Sequence, residues 1–236
     1  MRRALLLDTE TQGLDARTHA TIEVAVIVYD IPRRMPLMSF ASLLFADRNP
    51  AEATNGIPAS LLQEAPLAEL VWNRIYEMAK RCDVIVAHRA EFDRNFVPAE
   101  IRDVRPWVCS KFDLGPWPCC AKIGESLVPL ALAHGVGVVQ AHRALTDCDI
   151  LARLLTRASE LGMDLSQAFA RALRPKSLFY AATSFDQNEL VKAHGFAWDP
   201  DRYGKNWYRW MPAEDAGRLP FRVRSVQPVA GMQGHG

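Results

Sequence analysis
Leu5, Leu6 and Leu7 run straight into Asp8-Thr9-Glu10, and that junction constrains the chain more than any other feature. A leucine run reads as a strand buried in a sheet, and alternate residues of a strand share a face. Asp8 and Glu10 would therefore leave the same side of a buried strand, at its end. The alternative is a solvated strand end ahead of the Gln12-Gly13 turn. Acid-x-acid triplets also occur at Glu91/Asp93, Asp147/Asp149 and Asp199/Asp201. About three are expected by chance, so context has to separate them.

The remaining segments supply that context. Apolar stretches at 4–7, 22–29 and 38–45 read as strands, the last after the Pro32 and Pro36 punctuation. Asn55-Gly56-Ile57-Pro58 reads as a loop. Leu67, Leu70, Val71, Ile75 and Met78 recur at helical spacing. Residues 83–87 read as a buried strand, 92–101 as a short helix and 106–118 as a loop holding one strand. Residues 127–133, 145–161 and 165–173 read as helices, with Gly135 and Gly162 closing the first two. Strands first, then strands alternating with helices, give an α/β fold with a mixed sheet.

A chain of 236 residues suits one full domain and a smaller appendage. The boundary is placed at Pro175, giving domains at 1–174 and 175–225. Residues 177–221 hold 10 of the 21 aromatics and read as a strand, a helix at 186–194 and a hairpin ending Trp207-Tyr208-Arg209-Trp210. This small α+β unit would use most of its tryptophans as core. A stacking surface built with Lys192, Lys205 and Arg209 is the alternative. The tail at 226–236 has no periodicity and reads as disordered.

Lys+Arg 28 against Asp+Glu 27 leaves +1, which excludes a global basic field. A nucleic-acid partner would need a local patch or bound metal ions. No run approaches the roughly 20 apolar residues of a membrane span, and three leucines after Arg2-Arg3 are too few for a signal-peptide core. Five cysteines without a C-x-x-C pair argue against a zinc ribbon or a disulfide framework. A cytoplasmic location is expected.

Helical phase sorts the other acids. Asp93 shares a face with Phe96 and Val97, while Glu91 falls on the wet side with Arg94 and Asn95. Asp147 shares the packed face with Ile150, Leu151 and Leu154, while Asp149 falls with Ala152, Arg153 and Thr156. An inward carboxylate needs a partner or a metal, although a first-turn acid favoured by the helix dipole would also explain Asp147. His142, five residues before Asp147, could stand beside the same cluster and take a proton from water near pH 7.

LDTETQGL at 7–14, AHRAEFDRNF at 87–96 and AHRALTD at 141–147 resemble, in order, the three motifs of the DEDDh 3′–5′ exonucleases. That superfamily includes the proofreading ε subunit of bacterial DNA polymerase III, oligoribonuclease and RNase T. Asn55-Gly56-Ile57 resembles its intermediate H-G-I element. The resemblance implies an RNase H-like fold, a mixed five-stranded sheet flanked by helices. It further implies that Asp8, Glu10, Asp93 and Asp147 hold two Mg²⁺ or Mn²⁺ ions, with His142 as general base. The implied reaction is hydrolysis of DNA 3′ ends to nucleoside 5′-monophosphates. Thr9, Thr11, Gly13 and Leu14 would meet the terminal nucleotide. Phe96 would stack on a base or, as favoured here, fill the core. The family usually has Asn after the second-motif histidine; this chain has Arg89, which bears on specificity more than on activity. The C-terminal segment resembles a small domain of unknown function found beside primases and other nucleic-acid enzymes. Expected partners are single-stranded DNA or RNA 3′ ends, with a polymerase or primase for the appendage. An exoribonuclease of the same fold and a non-catalytic binding or docking module are the competing readings.

Overall fold
The computed structural model describes residues 1–120, 123–139, 143–198, 200 and 204–227. His142 and nearly all of the expected tail lie outside the described residues. β1 (Arg3–Thr11) is the middle strand of a five-stranded sheet ordered β3-β2-β1-β4-β5. β2 (Thr21–Asp30) runs antiparallel to β1, and β3 (Met35–Leu43) antiparallel to β2. β4 (Val84–Ala87) and β5 (Trp107–Cys109) run parallel to β1. The mixed sheet of the sequence reading is present.

Strand alternation divides the core in two. Ala4, Leu6, Ala25 and Ile27 face a helical layer in which Ile150, Leu151, Leu154 and Leu155 are buried. Leu5, Leu7, Val24 and Val26 face the opposite layer, with Val71, Ile75 and Met78. Short helices α1 (Glu52–Asn55) and α2 (Ala59–Gln63) follow β3, and α3 (Ala68–Ala79) supplies the second layer. Leu67 and Leu70 stay exposed, because Val71, Ile75 and Met78 set the buried face. Leu70 lies about 100° round the axis from Val71.

The single helix expected at 92–101 is two, α4 (Ala90–Phe96) and α5 (Ala99–Val104). Val97 precedes Pro98 and is extended, with ψ 152°, as the proline ring requires of its neighbour. α6 (Leu127–Ala133), α7 (Ala144–Glu160) and α8 (Leu165–Ala172) complete this part of the chain. β3 starts three residues earlier than expected. Pro36 is tolerated in it because β3 is an edge strand.

A second sheet lies beyond residue 176, ordered β7-β8-β6-β9. It comprises β6 (Ser177–Ala181), β7 (Ala197–Trp198), β8 (Trp207–Met211) and β9 (Val223–Val226), with α9 (Asn188–Ala193) after a 3₁₀ turn. β9 carries regular structure to residue 226, where the disordered tail was expected to begin. Phe179, Val191, Phe196 and Met211 form a small core. Arg209, which the alternative reading placed on a stacking surface, donates to the His194 carbonyl at 2.8 Å. Lys192 pairs with Glu189 and lies over the Trp207 ring. Lys176 and Asp113 join the two parts through a 2.9 Å ion pair whose side chains are 8% and 11% exposed. No helix among the described residues is long and apolar enough to cross a membrane.

Candidate active site
β1 delivers Asp8 and Glu10 on the face that α7 covers, and Asp147 stands in the first turn of α7. One carboxylate oxygen from each of Asp8, Glu10 and Asp147 lies within 4.8 Å of the other two. Asp93 arrives from the other side of the sheet, on α4. It is 3% exposed, and its Oδ1 accepts from the Thr9 backbone N–H at 3.1 Å and the Thr9 hydroxyl at 2.9 Å. The alternation of β1 explains the arrangement. Even-numbered acids face α7, while odd-numbered Thr9 reaches towards α4.

So many carboxylates cannot all ionise freely. Burial raises the Asp8 carboxyl well above its ordinary range, and the charges of Asp93, Asp147, Glu10 and Glu23 add to that. Glu10 is pushed up to about 7 by burial, then by Asp147 and Glu23. Asp93 also rises to about 7 through burial, although the Thr9 hydrogen bonds and Arg89 pull the other way. This concentration of half-buried, mutually repelling oxygen donors around the buried Asp93 fits hard divalent cations.

The remaining residues singled out in the sequence surround this cluster. Thr11 Oγ1 donates to the Gly13 carbonyl at 2.7 Å, and the Thr11 carbonyl accepts from Asn55 Nδ2 at 3.3 Å. Gly13 packs so tightly that a Cβ there would come within 2.7 Å of the His19 ring. Leu14, on the same turn, is 83% exposed. Phe96 is half-buried, 4.8 Å from the Phe92 ring, and Arg89 lies over Phe92. His88 is locked between Ser110 Oγ and the Glu125 carbonyl, both at 3.0 Å.

Two neighbours were missed. Glu23 is 4% exposed on β2, directly opposite Glu10, and is clasped by Arg143. A signal was available: a lone glutamate inside the apolar run 22–29 is a buried charge, and such charges are paired.

The chain belongs to the DEDDh-type exonuclease family: the family model described as Exonuclease matches residues 5–155. Residues 177–226 match a domain of unknown function, DUF8626. The 3′-5′ exonuclease DinG of Staphylococcus aureus (strain USA300) is 32% identical over 114 residues. That alignment takes in 46% of this chain but only 13% of the DinG protein. Exonuclease X, solved in complex with 5′ overhanging duplex DNA, is 27% identical with a TM-score of 0.53, covering 67% of this chain and 92% of that one. A structure of exonuclease I, 12% identical, matches 94% of this chain and 68% of its own with a TM-score of 0.62. That last likeness shows the shared RNase H-like fold.

Proposed function
We propose that this chain removes nucleotides from the 3′ end of DNA by metal-assisted hydrolysis of the terminal phosphodiester. The observation that carries the reading is the cluster of Asp8, Glu10 and Asp147 oxygens within 4.8 Å of one another. Family membership supports it, as does the likeness to Exonuclease X bound to DNA. Asp8, Glu10 and Asp147, with Asp93 beside them, would hold two Mg²⁺ or Mn²⁺ ions. When bound, such ions neutralise the carboxylates, make water more acidic and shield charge building on phosphate.

The protein's own groups supply the rest. Thr9 keeps Asp93 turned towards the cluster. Thr11 and Asn55 hold the turn that presents Gly13 and the exposed Leu14, and Leu14 lies against the terminal base. His142, one residue before the N-cap of α7, accepts the proton of the attacking water. The new bond is water oxygen to phosphorus; the broken one is phosphorus to the 3′ oxygen, which leaves with a proton. The products are a nucleoside 5′-monophosphate and a strand one unit shorter. The division into units at 1–174 and 175–225 rests on the two separate sheets. None of the five cysteines is in a disulfide, which suits a reducing cytoplasm. A polymerase or primase is the protein partner the second unit would serve.

The test is incubation of the full chain with DNA and RNA oligonucleotides of one sequence, in Mg²⁺, Mn²⁺ or EDTA. Stepwise shortening of the DNA with metal and none in EDTA is expected. Faster shortening of RNA would establish the exoribonuclease reading, since sugar choice rests on 2′-hydroxyl contacts. No shortening of either strand would sink the proposal.

A further inference from the structure
α7 begins badly by local rules. Its N-cap is Arg143, whose side chain cannot accept from the first helical N–H groups, and no side-chain cap bond is made. Helix starts favour Ser, Thr, Asp or Asn, because four N–H groups need acceptors there. The acceptor comes instead from a strand some 120 residues earlier. Glu23 Oε2 accepts from the Ala144 N–H at 3.1 Å and from Arg143 Nε at 3.0 Å. Glu23 Oε1 accepts from Arg143 Nη2 at 2.7 Å. One buried carboxylate thus caps the helix and clamps its N-cap residue bidentately, in the fork geometry that makes Arg–carboxylate pairs directional.

The clamp acts one turn from the cluster. The Asp147 N–H donates to the Arg143 carbonyl at 3.0 Å, so the residue that Glu23 grips is hydrogen-bonded to the backbone of Asp147. Glu23 also stands opposite Glu10 in the β1–β2 register, which ties the helix start to the strand bearing the other two acids. Both Glu23 oxygens are engaged by Arg143 and Ala144, so Glu23 is a support and not a ligand. Its charge pushes Glu10 up, and Arg143 pulls Glu10 the other way.

We infer that Glu23 and Arg143 are positioning residues, a clamp that fixes Asp147 against Asp8 and Glu10 and thereby sets the metal affinity of the site. The inference rests on the metal-dependent reading above. Groups that orient metal ligands typically change affinity or activity 10–100-fold when removed, and that is the effect expected here.

The experiment is calorimetric titration of Mn²⁺ into the full wild-type chain and into Glu23→Gln, Arg143→Gln and the double variant. Circular dichroism checks the fold, and steady-state kinetics use a DNA oligonucleotide. Gln at 23 keeps the shape and one acceptor oxygen for the Ala144 N–H while losing the charged clasp. Each single variant should bind Mn²⁺ about 10–100-fold more weakly. The double variant should be no worse than the poorer single, because the two act as one unit. Saturating Mn²⁺ should restore much of kcat with KM for the oligonucleotide unchanged.

Wild-type Mn²⁺ affinity in either folded variant would overturn the clamp. So would a raised KM with normal Mn²⁺ affinity, which would make Arg143 a phosphate contact. Unfolding of both single variants would also overturn it, since the pair would then hold the domain together without tuning the site. Failure of the wild-type chain to bind Mn²⁺ at all would instead strike at the proposed function.

Discussion
At the residue scale, the site is a set of carboxylates that destabilise one another until a cation arrives. Asp8→Ala and Asp147→Ala should each cut nuclease activity to below about 1% of wild type, since on the proposed reading each would supply a hard oxygen ligand. Their circular dichroism spectra should stay native. Mg²⁺ or Mn²⁺ should raise the wild-type melting temperature by mass action, because only the folded chain gathers the ligands. Neither variant should show the full rise. His88 offers a separate pH test. Burial lowers its pKa to about 4 from 6.5, so the unfolded chain binds the proton more readily. Its contribution to stability is therefore present above pH 6.5 and is lost as pH falls towards 4. His88→Gln should flatten that part of the melting-temperature profile relative to wild type; an unchanged slope would contradict the assignment. The paired acids at 8 and 10 were legible because strand period and residue type point the same way. Glu23 was legible only as a lone charge in an apolar strand; its partner is 120 positions away, and only tertiary structure brings the two together.

At the element scale, β1 and α7 carry the architecture. The helical face of 145–161 was readable from its apolar spacing, and the break at Pro98 follows from the ring's effect on Val97. β9 was not readable, because Val223–Val226 is four residues long and becomes a strand only by pairing with β6. The docking of α7 onto the sheet can be measured directly. Leu151 is 2% exposed, and Leu151→Ala should cost about 2–5 kcal/mol in urea unfolding. Leu145, on the same helix and 41% exposed, should cost less than about 0.5 kcal/mol on the same change. Equal costs would mean that α7 does not pack through the face described.

At the scale of the whole molecule, two sheets are joined by a few polar ties. Arg174 holds Asp215 at 3.1 Å and also pairs with Glu214, and Lys176 meets Asp113 in a nearly dry contact. Asp113 also accepts from the Cys109 N–H at 2.9 Å, just after β5 pairs with the strand that leads to α4. Lys176→Met would leave that carboxylate buried without its counter-charge, a loss of about 3–5 kcal/mol. Adding Asp113→Asn should recover a large part of it. Full additivity of the two losses would show that the pair does not couple the sheets. The second sheet begins at Ser177, where the aromatic content of the sequence rises, but these ties were not readable, since nothing near Asp113 in the sequence marks it as facing Lys176.

The central claim is that this arrangement consumes a strand from its 3′ end, and label position tests it most directly. One single-stranded DNA is labelled at its 5′ end in one tube and at its 3′ end in another, then incubated with the full chain and Mg²⁺. The account predicts that the 3′ label leaves at once as a mononucleotide while the 5′-labelled strand shortens one unit at a time. Early release of the 5′ label, or internal fragments from either strand, would contradict it.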